Sequence, residues 1–133
     1  MYFDGDYLPE SQPIFGVSDT AQMWGYSVSD TIRTFGKKLH GTSDHVSRLL
    51  NSCSEANMEF DISSTDIQNI LLHLVEKNTP LVSPEDEFLI ITYIIGNWSF
   101  NPSKAGDYPP SRLLIHCSKI NFTEHAKFFI EGQ

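Results

Sequence analysis

Apolar residues recur every three or four positions along two stretches of this 133-residue chain, a spacing that gathers them on one face of an α-helix. The first stretch contributes Val46, Leu49, Leu50 and Cys53. The second contributes Ile67, Ile70, Leu71, Leu74 and Val75. Capping side chains precede both, at Thr42 or Ser43 and at residues 63–65. The pattern predicts two amphipathic helices, the second stopped at Asn78 and Pro80.

Shorter runs predict two hairpins. The first eight residues predict one around Asp4-Gly5, with aromatic residues on both sides of the turn. Residues 28–33 predict a strand, and Gly36-Lys37 predicts a turn into a second strand that ends near His40. Side chains alternate along a strand, so residues 28–33 divide between its two faces. Val28, Asp30 and Ile32 share one face, and Ser29, Thr31 and Arg33 share the other.

Two further runs predict the centre of a sheet. Phe88–Ile95 is continuously apolar and rich in β-branched residues, which predicts a strand covered on both faces. Arg112–Cys117 predicts another strand after a loop at 97–110. The tail predicts a short closing helix that packs Phe122, Ala126, Phe129 and Ile130. We therefore expect residues 1–133 to form a single α+β domain, a two-layer, mostly antiparallel sheet with two main helices on one face.

The composition of the chain limits the kinds of molecule that it could bind. The formal net charge is −8, with nine basic residues against 17 acidic ones, and Lys37-Lys38 is the only adjacent basic pair. This balance argues against nucleic acid or an anionic membrane as partner, because phosphate groups require clustered lysine and arginine. The first ten residues resemble no signal peptide and no apolar run could span a bilayer, so we expect a cytoplasmic protein. In that compartment Cys53 and Cys117 are expected to be buried free thiols.

Arg48 stands directly beside the apolar stripe of the first predicted helix. It could lay its methylene stem along the helix and keep its charged head in water. Alternatively, it could point at an anion, because a guanidinium stays charged at every working pH and meets phosphate oxygens with two parallel N–H bonds. The residues alone leave both interpretations open.

The order of several stretches resembles a known family. These are "YFDGDYLPES" at 2–11, "DTAQMWGYSVSDTIRTFGKKL" at 19–39, "HVSRL" at 45–49 and "RLLIHCSKINFTEHAKFF" at 112–129. Together they resemble the N-terminal domain of class IV aminotransferases. These fold-type IV pyridoxal-phosphate enzymes include branched-chain and D-amino-acid aminotransferases and aminodeoxychorismate lyase. The resemblance depends on the ordered set, since no single motif is as specific as a zinc-ligand quartet.

The resemblance implies a role for Arg48. In this family the arginine of the H-x-x-R-L helix holds the phosphate of the cofactor, so Arg48 is expected to bind pyridoxal 5′-phosphate in the intact enzyme. His45 lies one turn earlier on nearly the same helical face, where it could orient Arg48 or close the pocket.

Other positions carry implied roles at the substrate. Trp24 lies where family members reach towards substrate, often across a homodimer, although a core or interface aromatic is an equal alternative. Ser29 replaces a usual aromatic residue and would loosen the pocket. Arg33 could meet a substrate carboxylate, although an ion pair with a neighbouring acid is the favoured alternative. Ile95, before Gly96, replaces the arginine of carboxylate-binding members and counts against D-amino-acid specificity.

The implied reaction moves an amino group between an amino acid, most simply a branched-chain one, and a 2-oxo acid. It needs a lysine that holds the cofactor and moves a proton. The family places this lysine in a C-terminal domain beyond the last residue of this chain, and none of the six lysines matches its position. We therefore expect this chain to contribute cofactor-phosphate and substrate-wall contacts and to be inactive without that domain.

Two alternatives remain open at this level. The chain could belong to a lyase similar to aminodeoxychorismate lyase, or it could be a non-catalytic binding or dimerisation module on the same fold. Metal catalysis is not supported, because the five histidines form no HxxxH or HxH array. A Cys117–His116 nucleophile is equally weak, since adjacent strand residues point to opposite faces.

Overall fold

The computed structural model describes residues 1–16, 19–96 and 110–120, with positions 122, 126, 130 and 132. The strands in this part of the chain are β1 (Tyr2–Phe3), β2 (Asp6–Tyr7), β3 (Ser27–Phe35), β4 (Lys38–Leu39), β5 (Phe88–Ile95) and β6 (Arg112–Lys119). Its α-helices are α1 (Thr20–Trp24), α2 (Thr42–Glu55) and α3 (Ser64–Asn78), and a 3₁₀ turn (Thr79–Leu81) follows α3. None of the helices in the described ranges is long and apolar enough to cross a bilayer.

The strands form one antiparallel sheet in the order β2-β1-β6-β5-β3-β4. Asp30 of β3 lies opposite Thr92 of β5, which in turn lies opposite Ile115 of β6. β4 pairs only with the last two residues of β3. Within the described residues, positions 27–33 of β3 therefore pair with β5 alone and leave an open edge on their other side.

The helices α2 and α3 pack together on one face of the sheet and enclose the core with it. The core is apolar, and its least exposed side chains include Leu49, Ile67, Leu71, Leu74, Ile90, Ile94, Leu113 and Ile115. This arrangement confirms the predicted α+β class, with a mostly antiparallel sheet and its two main helices on one face.

The two faces of the sheet differ in how well they are covered. As predicted for β3, Asp30 and Ile32 are buried whereas Ser29 and Thr31 are exposed. In β5, however, the outer-face residues Leu89, Ile91 and Tyr93 are only half-buried, and Ile95 at the end of the strand is the one buried residue of that set. The expectation of a strand covered on both faces is therefore wrong for the described part of the chain. The reason is that α2 and α3 cover the inner face, whereas α1 borders only one end of the outer face.

The two long helices begin differently. Ser63 caps α3 as predicted, since its hydroxyl accepts a hydrogen bond from the amide of Asp66. The cap predicted for α2 at Thr42 or Ser43 is wrong, because both residues already lie in the helix. The N-cap is Gly41, which makes no side-chain bond and adopts φ 65°. Glycine adopts this left-handed conformation without strain. The chain therefore passes from β4 through Gly41 directly into α2.

A single carboxylate, that of Glu87, holds the β3–β4 turn. Gly36 and Lys37 have φ values of 58° and 60°, the left-handed pair of a tight hairpin turn. Glu87 accepts hydrogen bonds from the hydroxyl of Thr34 and from the backbone amides of Gly36 and Lys37. Burial alone would raise the pKa of Glu87, but these bonds and the nearby Lys37 charge hold it below its usual value.

The expectation for the cysteines is confirmed in that Cys53 and Cys117 are both free thiols. Cys53 is buried, and Cys117 is half-buried. Burial raises the pKa of Cys117 to about 11, so this thiol stays protonated at neutral pH.

The end of the chain is only partly described. The loop at 97–109 and Phe129 lie outside the described residues. Of the other residues predicted to pack in a closing helix, Phe122, Ala126 and Ile130 are exposed. The predicted packing is therefore not found for these three side chains.

Two adjacent leucines of α3 provide a test of the helix packing. Leu71 is 1% exposed in the core, whereas Leu72 is 51% exposed on the solvent-facing side of the helix. We expect Leu71→Ala to lower the free energy of unfolding by about 2–5 kcal/mol, because it leaves a cavity. Leu72→Ala should change it by less than about 0.5 kcal/mol. Urea unfolding of the two variants checks this, and equal losses would contradict the assigned face of α3.

Glu87 predicts an acid-sensitive turn. Its pKa is lowered from 4.5 in the folded state, so its stabilisation is present above pH 4.5 and is lost as the pH falls through the folded-state pKa. Glu87→Gln should reduce the free energy of unfolding at pH 7 by about 1 kcal/mol, and the difference from wild type should vanish in acid. Urea unfolding at a series of pH values, with the exposed Glu85→Gln as control, measures this difference. A difference that persists unchanged in acid would contradict the turn assignment.

Candidate functional site

The candidate site centres on Asp30, an acidic residue on the buried face of β3. Asp30 is 9% exposed, although it lies in a strand whose inward neighbours are apolar. An ionised carboxylate in such a position is costly unless it is paired and hydrogen-bonded. α2, which packs against this part of β3, supplies both partners from residues one turn apart, His45 and Arg48.

Each oxygen of the Asp30 carboxylate contacts a different side chain. Oδ2 accepts a hydrogen bond from Nε of Arg48 at 2.6 Å. Oδ1 lies 2.6 Å from Nδ1 of His45. Both distances are in the short range of charge-assisted hydrogen bonds, so the buried carboxylate is fully engaged.

The short contact between His45 and Asp30 identifies which ring nitrogen of His45 carries a hydrogen. A carboxylate only accepts, so Nδ1 must carry the hydrogen that points at Oδ1 of Asp30. Nη2 of Arg48 also lies 3.1 Å from Nδ1 of His45. With Nδ1 protonated, this second contact joins two donors and is not a hydrogen bond. The hydrogens of Nη2 therefore remain available to another acceptor.

Arg48 lies between the buried carboxylate of Asp30 and the solvent. Its side chain is 65% exposed, whereas that of Asp30 is 7% exposed. The hydrogen bond and the charge of Asp30 raise the pKa of Arg48, so the guanidinium stays positive throughout the working range. Both interpretations left open by the sequence are partly right, since Nε points inward at an anion of its own chain and the tip lies in solvent.

The other residues implied by the resemblance lie around the open edge of β3. Ser29 is exposed on the outer face, opposite Tyr93 of β5. Trp24 ends α1 and is 56% exposed, which argues against the core alternative. Asp30 and Ser29 are consecutive and face opposite ways. The structure therefore places Arg48 and Ser29 on the two sides of one open edge and does not bring them onto one face.

Arg33 departs from the favoured expectation. Within the described part of the chain it forms no ion pair with an acidic side chain. Instead its Nε donates to the carbonyl of Thr34 at 3.3 Å, and its guanidinium lies 4.2 Å from the centre of the Phe35 ring. Phe35 is 51% exposed, so the stacked arrangement keeps the charge at the surface without a carboxylate partner.

A cleft of about 320 Å³ opens on the outer face of the sheet, beside the same strand. Gln22 of α1, Ser27 of β3 and Tyr93 of β5 are among its lining residues. Arg48 is not one of them. Any ligand that reached both would have to pass around the open edge of β3.

The sequence interpretation missed Asp30 as the partner of Arg48. The signal was present, because the alternation of β3 placed a carboxylate between Val28 and Ile32 on a buried face. A buried carboxylate requires a donor, and the nearest predicted helix carries two of them three positions apart. Only the packing of α2 against β3 shows that they meet.

The fold is similar to those of solved aminotransferases. A branched-chain amino acid aminotransferase from Escherichia coli matches with a TM-score of 0.74 and 18% identity, over 87% of this chain and 39% of that one. A branched-chain enzyme from T.th., solved with pyridoxamine 5′-phosphate, matches with 0.73 and 18%, over 90% and 40%. A hypothetical aminotransferase from Mycobacterium tuberculosis, in a pyridoxal-phosphate-bound form, matches with 0.66 and 15%, over 84% and 37%.

No family model matches the sequence, and no curated protein matches it. The chain spans about two fifths of the length of the solved structures above. At these identities the match concerns the fold. For the fold, the resemblance to class IV aminotransferases inferred from the sequence is confirmed.

The Arg48–Asp30 contact predicts a protected side-chain hydrogen. The Nε–H of Arg48 should exchange slowly with solvent, because it donates to a buried carboxylate. Arginine-selective ¹H–¹⁵N NMR measures this exchange, which should accelerate in Asp30→Asn. The Nε–H of Arg33, which bonds a backbone carbonyl, is the control and should not respond. An Arg48 exchange rate that is indifferent to the Asp30 substitution would contradict the pairing.

Proposed function

We propose that residues 1–133 are the N-terminal domain of a class IV pyridoxal-phosphate-dependent aminotransferase, and that Arg48 binds the phosphate of the cofactor. One observation carries the proposal above all others: an exposed guanidinium is anchored by its inward nitrogen to a buried carboxylate. The fold shared with branched-chain aminotransferases supports it. The family motif H-x-x-R-L, present at residues 45–49, supports it as well.

The residues at this site suit a phosphate ester. Arg48 keeps its positive charge, and its two Nη groups form a planar fork that makes no hydrogen bond to Asp30. Such a fork suits two oxygens of one phosphate group. Pyridoxal 5′-phosphate, when bound, supplies an electron sink for amino-acid chemistry. The part of this chain in that chemistry is to hold the cofactor by its phosphate end.

The proposed reaction is the transfer of an amino group between an amino acid and a 2-oxo acid. A branched-chain-like donor is supported by Ile95, which stands before Gly96 where carboxylate-binding members of the family carry an arginine, so D-amino-acid specificity is disfavoured. Trp24 and Ser29, on either side of the start of β3, would form the substrate wall. Arg33 remains a candidate for a substrate carboxylate, because it has no carboxylate partner among the described residues.

Catalysis would require groups that the described residues do not provide. Lys37 and Lys119 are engaged around Asp86, and Lys77 lies 5.0 Å from the ring centre of Tyr7. Lys38, the remaining described lysine, is exposed on β4. We propose that the catalytic lysine belongs to a C-terminal domain and that two copies of the protein associate. The free thiols of Cys53 and Cys117 support a reducing, cytoplasmic compartment.

The affinity for pyridoxamine 5′-phosphate tests the proposal. This form has no aldehyde and so cannot react with surface lysines. Calorimetric titration should detect tighter binding of pyridoxamine 5′-phosphate than of pyridoxamine, which has no phosphate. Arg48→Gln should reduce the affinity for the phosphorylated ligand at least tenfold, since it removes a charge-assisted pair worth about 1.5–3 kcal/mol.

Lys38→Gln is the matched control. It removes one exposed positive charge from β4, outside the proposed binding residues, so it reproduces any general electrostatic effect. We expect it to leave the affinity for pyridoxamine 5′-phosphate unchanged. If both variants lose the same affinity, or if neither does, Arg48 is not the phosphate ligand. A chain that binds neither compound favours the alternative of a non-catalytic module.

A further inference from the structure

We infer that Asp30 and His45 form a positioning pair that keeps both Nη groups of Arg48 turned towards a ligand. The inference rests on the proposed function, because the ligand in question is the phosphate. It assigns roles to two side chains that need not touch the cofactor. Both act through Arg48, which favours the first of the two roles left open for His45, to orient Arg48 or to close the pocket.

A free carboxylate and arginine tend to form a bidentate pair, with two parallel N–H···O bonds between the planar fork and both oxygens. Such an arrangement would occupy the Nε–H of Arg48 and one of the two hydrogens on Nη2, and it would hold the guanidinium plane flat against Asp30. A single bond is present instead, from Nε to Oδ2 of Asp30 at 2.6 Å.

His45 prevents the bidentate arrangement. His45 occupies Oδ1 of Asp30 through Nδ1 at 2.6 Å. Nη2 of Arg48 consequently stops 3.1 Å from that ring nitrogen, beside a donor rather than an acceptor. His45 thus diverts one carboxylate oxygen and leaves the Nη2 hydrogens without an acceptor on this side.

The single bond at Nε leaves Arg48 oriented for an incoming anion. The Asp30 side chain is 7% exposed, so its negative charge lies behind the guanidinium and not beside the exposed fork. In an unpaired arginine, rotation about the last side-chain bonds lets the guanidinium plane take many orientations. The hydrogen bond from Nε of Arg48 to Asp30 limits those orientations. A phosphate that meets this fork finds two donors already oriented, which lowers the entropic cost of binding.

Matched substitutions at His45 test the pair. His45→Leu frees Oδ1 of Asp30, so one Nη2 hydrogen of Arg48 should bond that oxygen as well and draw the guanidinium further onto the buried carboxylate. Arg48 should then bind pyridoxamine 5′-phosphate about tenfold more weakly. His45→Gln retains an N–H that can reach the same oxygen and should keep most of the affinity. Asp30→Asn should weaken binding to a similar extent, because an amide holds Nε less firmly. In an Arg48→Gln background, none of these substitutions should have a further effect.

The outcomes separate this inference from the proposed function. If Arg48→Gln abolishes phosphate-dependent binding while His45→Leu and Asp30→Asn bind as wild type, the positioning pair is refuted and the proposed function stands. If Asp30→Asn binds more tightly, the carboxylate competes with phosphate and the inference fails. A loss in His45→Leu that persists in the Arg48→Gln background means that His45 contacts the ligand itself, which also refutes it. If Arg48→Gln binds as wild type, both proposals fall.

A measurement on the unsubstituted chain guards against variants that do not fold. Arginine-selective NMR reports rotation about the two Cζ–Nη bonds of Arg48. We expect both rotations to be fast in the absence of ligand, and both to slow when pyridoxamine 5′-phosphate is added. An Nη2 group that is already immobilised without ligand would refute the inference, because it would mean that Nη2 is bonded to Asp30.

Discussion

The Asp30 carboxylate is the constraint on which the candidate site depends. It lies on the buried face of β3, where an unpaired charge would be costly, and so it requires donors from the layer packed above it. α2 supplies His45 and Arg48 from one helical face, and each takes one oxygen. The pairing ties α2 to β3 in a defined register. It also converts an otherwise flexible surface arginine into an oriented donor group.

The rest of the fold serves to bring α2 and β3 together at this point. The β3–β4 turn, held by Glu87, reverses the chain within a few residues, and the left-handed Gly41 directs it into α2. The core between α2, α3 and the inner sheet face then fixes the helix in place. Because β4 is short, residues 27–33 of β3 keep an open edge beside the site within the described part of the chain. Arg48 and Ser29 lie on the two sides of that edge.

Much of the architecture follows from local pattern, since helical spacing and strand alternation report which face of an element is buried. The stripe of α2 and the alternation of β3 could be read because each depends on a few neighbouring residues. The exposure of the outer face of β5 could not be predicted in this way, because it depends on which face of the sheet the helices pack against. The cap of α2 was missed for a similar reason: a left-handed glycine replaces a side-chain cap without any distinctive pattern.

The site was only half predictable. Arg48 was singled out through a family motif, and the inward direction of Asp30 followed from alternation. Their contact joins residues 18 positions apart and depends on the distance between two layers, which no local pattern encodes. Arg33 shows the same limit, because an ion pair was expected and a stacked Phe35 ring was found instead. Charge alone does not indicate which neighbour a long side chain meets.

A crystal structure of the chain with bound pyridoxamine 5′-phosphate tests the central claim most directly. The account predicts phosphate oxygens within hydrogen-bonding distance of both Nη groups of Arg48, with Nε still on Asp30 and Nδ1 of His45 on the other carboxylate oxygen. A phosphate bound elsewhere, or an Arg48 fork closed onto both oxygens of Asp30, would contradict it.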